Sequence, residues 1–470
     1  MIPARPVGEI AMQLEDYSLE QLASALRTGD VSARSLMEAC IRSHAASEHE
    51  LNAYKSWNGD QALAVADKVD GLLRLGHDLG PLMGLPVSVK DMFAVPGLPT
   101  FAGSRQELGP QWQQPGPLMQ ALLGQLAPVT GKTHTVEFAL GGIGINAHWG
   151  TPRNPWSPDV HRVPGGSSSG AGVSLCQGSA LLALGTDTAG SVRIPAAMTG
   201  TVGLKTTAGR WPAQQIVPLS TSLDSPGILT RTAADAAFAY AAIQSRLQAA
   251  PVAIPALPDC RGLRIGVVEN FFWEDAVDDL VAVIREAMHK LEQAGAVLVP
   301  LQVPGCVELF EIFQQGGLSV AELAAFLTDH MPERLELLDP VVRSRIEDGG
   351  AVSAREYLQR KQRLAQAAEQ AAGLFERVDF WLHPTLPITA PAVDMLQDLD
   401  TYRHYNMLAL RNPGMANLMG LCALSLPAGM DRLGLPVGVQ LTAAANQETR
   451  LLAAGQAVEK VLGTLFKQFY

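Results

Sequence analysis

The stretch Arg162-Val163-Pro164-Gly165-Gly166-Ser167-Ser168-Ser169-Gly170, a run of small residues, and then Leu184-Gly185-Thr186-Asp187-Thr188-Ala189-Gly190-Ser191-Val192-Arg193-Ile194-Pro195 decide how this chain is read. Two serine-bearing glycine turns flank one short apolar segment. Glycine admits positive φ and lets a backbone approach a ligand closely. An apolar segment can hold both turns in register, gathering two hydroxyls and several free backbone N–H groups around one point. Acyl transfer needs that set: a nucleophile, a proton route and an oxyanion site.

The composition around this stretch is that of a well-buried globular protein. Of 470 residues, 47% are hydrophobic and 17% charged, which excludes a disordered chain. A net charge of −11 argues against an unspecific nucleic-acid binder, because phosphate binding needs a basic face. The cysteines at 40, 176, 260, 306 and 422 form no CxxC pair. They read as free, mostly buried thiols in a reducing compartment, without zinc-ligand spacing. Met1 to Asp16 lacks the apolar core of a signal peptide. No uncharged apolar run reaches the roughly 18–20 residues that span a bilayer, so a cytoplasmic protein with no membrane span is expected.

Along the chain, Ser18-Leu19-Glu20-Gln21 is a capping box opening a helix that stops near Gly29. A second helix runs from about Ser32 to His44 and a third from Ala62 to Leu75. Val87 to Val89 suit a buried strand, with Lys90 at its end. On this segment alone, Lys90 turns to the surface or pairs with Asp91, since an unpaired buried ammonium is costly. A helix and then a strand at Leu126 to Thr130 lie between Gly116 and Gly131. Gly141-Gly142-Ile143-Gly144 is a turn without the dinucleotide fingerprint. Ala171 to Gly185 suits a buried core helix, and Ser225-Pro226-Gly227 belongs to a turn-rich stretch. Leu247 to Pro258 is the best connector. Leu263 to Val268, a helix from Asp275 to Ala294 and Ala296 to Leu301 suggest a crossover unit. Ser353-Ala354-Arg355-Glu356 is a second capping box, opening a helix to about Phe375. Strands at Phe380 to His383, Leu424 to Leu426 and Val437 to Leu441 and a helix from Gln447 to Val461 complete the chain. Strands alternate with helices throughout, so the class is α/β in one compact domain.

Several chemistries fit the glycine–serine turns taken alone. A phosphate loop lacks the following Gly-Lys-[Ser/Thr]. A nucleophile elbow matches at Gly166-Ser167-Ser168-Ser169-Gly170, with Ser168 as nucleophile, and would need a later acid and histidine; His289, His330, His383 and His404 are available. Turns that merely cap helices and close hairpins are a third reading, and a Ser–Ser–Lys site a fourth.

The quoted stretch through Ala197 resembles the signature of the amidase signature family. So do Gly84-Leu85-Pro86-Val87-Ser88-Val89-Lys90-Asp91, Gly131-Lys132-Thr133, Arg153-Asn154-Pro155-Trp156, Gly203-Leu204-Lys205 and Leu435-Pro436-Val437-Gly438-Val439-Gln440. The similarity runs from about Leu19 to Leu462. It implies a central mixed β-sheet covered by helices on both faces. Within one amidase domain, 1–470, residues 17–80 would be a helical cover, 81–240 the signature core, and 260–470 the half that completes the sheet and the substrate pocket.

The resemblance further implies that Ser191 is the nucleophile, Ser167 the bridging serine that follows a cis peptide bond, and Lys90 the base. Ser167 and Ser191 are 24 residues apart, as the family pattern asks. Backbone N–H groups of Thr188, Ala189, Gly190 and Ser191 are candidates for the oxyanion site. Ala189 stands where many members have glycine, which would crowd that turn slightly. Lys90 must be neutral to act, so its pKa must fall from about 10.4 to about 7–8, about 4 kcal/mol of disfavoured charge. Gly141, Gly142, Ile143 and Arg210 are candidate substrate-binding residues, with walls from Phe138 to Ile145, Arg210-Trp211 and Thr385 to Arg411.

The expected function is cleavage of an amide or carbamate C–N bond through an acyl-enzyme, without cofactor or metal. The expected substrate is a small apolar or aromatic molecule, with a lean towards urethanes from the Thr-Ala-Gly-Ser variant. A monomer or homodimer would suffice. The alternative is an A-type subunit of a glutamine-dependent amidotransferase, working with a partner.

Overall fold

Val87-Ser88-Val89-Lys90 forms a strand buried at every position in the computed structural model, which describes residues 14–466. Side chains alternate across a strand. Val87 and Val89 accordingly join the main hydrophobic core, while the Ser88 hydroxyl lies 2.9 Å from that of Ser174 on the opposite face. Lys90 shares the parity of Ser88, so its side chain leaves the strand towards the serine turns.

Eleven strands make one sheet: β1 (Tyr54–Trp57), β2 (Val87–Lys90), β3 (Val129–Thr133), β4 (Leu182–Asp187), β5 (Val202–Lys205), β6 (Ser225–Thr230), β7 (Arg264–Val268), β8 (Val297–Leu301), β9 (Phe380–Pro384), β10 (Cys422–Met430) and β11 (Pro436–Ala443). Their order is β1-β3-β2-β4-β6-β5-β10-β11-β9-β7-β8. The sheet is mixed. β2 is parallel to β3 and β4, and β7 is parallel to β8 and β9, whereas β4, β6, β5, β10 and β11 pair antiparallel.

The two faces of the sheet pack in separate clusters. Leu182 and Leu184 of β4 join the helices Ala233–Gln248 and Glu448–Leu462 in one core. Ala183, between them, packs with Ala171, Leu175, Val192 and Ala196 of the two helices carrying the signature turns. Helices therefore cover both faces, as the sequence resemblance implies. The register Val89↔Leu184 brings the carboxyl ends of β2 and β4 side by side, the usual place for a site in an open α/β sheet.

Several sequence expectations shift. Ala171 to Gly185 is not one helix: Ser169–Gln177 is helical, Gly178 caps it at φ 76°, and β4 begins at Leu182. Small apolar residues fit either state, and the glycine stop decides. Ser225-Pro226-Gly227 opens β6 rather than a turn; the edge of β5 supplies partners that the local sequence cannot reveal. The expected strand at Leu126 starts later, at Val129, because Leu126 adopts φ 53°. The second helix runs on to Leu51, ended by Asn52 at φ 50°. The Ser18 capping box forms in full. At Ser353 only half does, because Glu356 turns to Arg360. Most of residues 1–16, where no signal peptide is expected, lie outside the described residues. Among the described residues no helix is long and apolar enough to cross a membrane, and the five cysteines are buried and joined in no disulfide.

The helix Ser169–Gln177 approaches β1 so closely that a Cβ on Gly170 would stand 2.0 Å from the Ala53 carbonyl oxygen. Gly170→Ala is expected to destabilise the fold by about 1–3 kcal/mol. The midpoint of urea unfolding checks this, and an unchanged midpoint would contradict the close approach.

Candidate active site

Lys90 reaches the serine turn from the end of β2. Its Nζ donates to Ser167 Oγ at 2.8 Å and to Thr186 Oγ1 at 2.7 Å, with the Thr186 carbonyl at 3.5 Å. The side chain is fully buried, and among the described residues no carboxylate pairs with it. Asp91, the partner considered from the sequence, is taken by Lys132 at 3.0 Å. Burial lowers the Lys90 pKa to about 7, against a smaller upward pull from Asp224 and Asp187. An amine with a substantial neutral fraction, in contact with a hydroxyl, can accept its proton.

The two turns meet through the main chain. The Gly166–Ser167 peptide bond is cis, and the Ser168 N–H donates to the Ser191 carbonyl at 3.2 Å. Ser191 is 3% exposed and lies one residue before the N-cap Val192 of the helix Arg193–Thr199, so two residues before the helix begins. Asp187 shapes the turn that carries it. Its carboxylate accepts the Gly190 N–H at 2.7 Å and the Val192 N–H at 3.1 Å. Arg193 meets the same carboxylate through Nη2 at 2.8 Å and Nε at 3.1 Å. Burial alone would raise the Asp187 pKa, but Arg193 and the backbone donors hold it well below the carboxylate range. Arg193 is itself fixed by Pro413, Gln440 and Asn417.

This arrangement corrects one oxyanion candidate, since the Gly190 N–H is already spent on Asp187. The N–H groups of Thr188, Ala189 and Ser191 have no acceptor among the described residues. The Ala189 methyl lies near Gly414, where an added Cβ would stand 3.9 Å from it, an ordinary contact. The glycine loop acts as a brace. The Gly141 N–H is bonded to Ala139, the Gly142 N–H to Asn406 Oδ1 at 2.7 Å, and the Gly142 carbonyl accepts the Gly166 N–H at 2.8 Å. Ile143 is fully buried beside them. Gly141 and Gly142 thus hold the Ser167 turn rather than offer donors.

Arg210 is not gathered with the serines. It donates to Tyr240 Oη at 3.1 Å and faces Glu448, while Trp211 stacks on Tyr240. A cavity of about 320 Å³ opens instead between Trp112, Ala213, Gln214, Ile216, Pro218 and Phe326, and it ends on Thr186 and Asp224. Loops and a helix far apart in sequence build this wall, which is why local reading misses it. Asp187 and Arg193 did carry a signal: between Arg162 and Lys205 they are the only charged residues, the mark of a buried pair. Removing one partner strands the other. Asp187→Ala is expected to cost about 3–5 kcal/mol, read as a large fall in Tm; a Tm within a degree or so of the parent would contradict that role.

Comparisons with known proteins agree with this architecture. A family model described as "Amidase" matches residues 35–452. A 2-amino-5-chloromuconic acid deaminase of Comamonas testosteroni is 53% identical over 452 residues, 96% of this chain and 97% of that protein. An amidase of Pseudomonas putida is 35% identical over 463 residues, 95% of this chain and 96% of that one. A solved structure described as a crystal structure of amidase superposes with TM-score 0.86 at 29% identity, covering 95% of this chain and 100% of the other.

Proposed function

The chain belongs to the amidase signature family of hydrolases acting on C–N bonds, and from that premise we propose that Ser191 is its nucleophile, Ser167 its proton bridge and Lys90 its base. The observation that carries this reading is the buried Lys90 amine, hydrogen-bonded to the Ser167 and Thr186 hydroxyls at 2.8 and 2.7 Å with no carboxylate paired to it among the described residues. With its pKa lowered to about 7, much of the amine is neutral at neutral pH. Lys90 takes the Ser167 proton as Ser167 takes that of Ser191. Ser191 Oγ then adds to the electrophilic carbon, and the unspent N–H groups of Thr188, Ala189 and Ser191 are the donors available to the developing charge. Collapse breaks the C–N bond, the relay returns the proton to the leaving nitrogen, and water releases the serine by the reverse path.

We further infer that the substrate is an unsaturated 2-amino acid that loses ammonia, the class named for the Comamonas testosteroni relative. In the imine tautomer of such an acid, C2 stands where an amide carbonyl carbon would. Serine adds to C2 as its proton passes through the relay to the nitrogen, the C–N bond breaks to release ammonia, water adds at C2, and the C2–O bond to Ser191 breaks to free the enzyme. The net change is one water consumed, one ammonia released and a 2-oxo acid formed. Arg345 supports an acidic substrate. Its guanidinium donates to the Leu140 carbonyl at 3.0 Å, beside the Gly141 loop and close to Tyr402. Among the described residues it has no ion pair.

Ammonia release from a 2-aminomuconate, set against hydrolysis of a 4-nitroanilide and a 4-nitrophenyl carbamate by the purified chain alone, tests the substrate. The 2-amino acid should be the fastest; a carbamate or anilide outpacing it would overturn the substrate assignment. Ser191→Ala and Lys90→Ala should each lower turnover at least about a thousandfold with the fold intact by circular dichroism. Retained turnover in either variant overturns its assigned role. As pH rises, Lys90 loses its proton, so kcat/KM should climb to a plateau above about 7. A profile flat from pH 5 to 8 would exclude Lys90 as the base.

A further inference from the structure

Asp224 lies outside the signature stretch, immediately before β6, and its side chain forms part of the cavity wall next to Thr186. Its Oδ1 accepts the Thr188 hydroxyl. Its Oδ2 is fixed from the other side by the N–H groups of Leu219 at 2.9 Å and Ser220 at 3.0 Å. The loop that bears these donors is anchored in turn, since Glu322 accepts the Ser220 hydroxyl at 2.7 Å and the Ser222 N–H at 3.0 Å.

The turn from Thr188 to Ser191 is therefore held by two carboxylates on opposite sides. Asp187 takes the amides of Gly190 and Val192, while Asp224 takes a side-chain hydroxyl and leaves the Thr188 N–H free. Between these two attachments sit the Thr188 and Ala189 amides, in residues only 3% and 6% exposed. Neither amide has an acceptor among the described residues, and a buried N–H left unpaired is costly unless a ligand supplies the acceptor. A turn of small residues with a glycine at φ 125° has little of its own to fix the direction of those amides. The Thr188 hydroxyl is its one side-chain attachment on the amino-terminal side.

We propose that Asp224 is a positioning residue for the oxyanion site: by holding the Thr188 hydroxyl it aims the Thr188 and Ala189 N–H groups at the heteroatom bound to the carbon that Ser191 attacks. This rests on Ser191 being the nucleophile. The effect is transmitted through Thr188, and Asp224 does not touch the reacting atoms. Removing one oxyanion donor typically costs a hundredfold or more in rate, and misaiming two costs about tenfold or more.

The test compares Thr188→Val, Thr188→Ser, Asp224→Asn and the Thr188→Val/Asp224→Asn double variant. Two readouts are taken: steady-state kinetics, and the rate at which phenylmethylsulfonyl fluoride modifies Ser191, which needs no knowledge of the substrate. Thr188→Val and Asp224→Asn should each lower kcat and the sulfonylation rate about tenfold or more, with KM within about twofold of the parent. The double variant should be no slower than the worse single one, because both changes act on one contact. Thr188→Ser keeps the hydroxyl and should lose much less of the rate than Thr188→Val. Wild-type kcat in Thr188→Val, losses that multiply in the double variant, or a change confined to KM would overturn the proposal. Should Asp224→Asn not fold, the contrast between valine and serine at 188 decides alone. Failure of the reagent to label Ser191 in the parent chain would instead overturn the nucleophile, a separate result.

Discussion

The cost of burying the Lys90 amine is the constraint around which this molecule is arranged. A lysine at the end of an apolar strand could be stabilised by a carboxylate, as Lys132 is by Asp91 3.0 Å away. Lys90 is given hydroxyls and a carbonyl instead. Hydroxyls satisfy its hydrogen bonds without paying back its charge. The ammonium form is disfavoured by about 4–5 kcal/mol for a fall from 10.5 to about 7, so the amine is available to bind a proton. A carboxylate in contact would favour the charged form and remove that capacity.

The surrounding carboxylates obey the same logic by standing one step back. Asp187 is neutralised by Arg193 and spends its remaining lone pairs on the turn that bears Ser191. Asp224 is occupied by a hydroxyl and two amides. Each is near enough to be felt by Lys90 but neither pairs with it. The Asp187–Arg193 pair resembles a buried structural ion pair, whose value lies in geometry more than in net stability. Here it fixes which backbone amides are spent and which remain open.

Much of the site was legible because it is local. Two serine–glycine turns, an uncharged run broken by one aspartate and one arginine, and the alternation Val-Ser-Val-Lys are visible in the sequence. The last pattern alone places Lys90 on the face opposite the valines. Helix limits marked by glycine or by serine caps were also readable, as at Ser18 and Gly29. Where a stretch was made of residues equally suited to helix and strand, as from Ala171 to Leu184, the outcome depended on neighbours. The same holds at Ser225-Pro226-Gly227, which becomes a strand because β4 and β5 flank it with unpaired backbone groups.

The sequence by itself determined the α/β class, the helices with self-contained caps, and the candidate residues of the two turns, because those depend on composition, period and short spacing. The tertiary structure decided which partner each buried charge receives. Lys90 meets Ser167 across 77 residues, Arg193 meets Asn417 across 224, and Arg210 is drawn away to Tyr240. It also decided where the cavity opens, between Trp112, the loop near Ile216 and Phe326. Burial and hydrogen-bond partnership are properties of what packs against a residue, and for these residues that neighbour comes from a distant part of the chain.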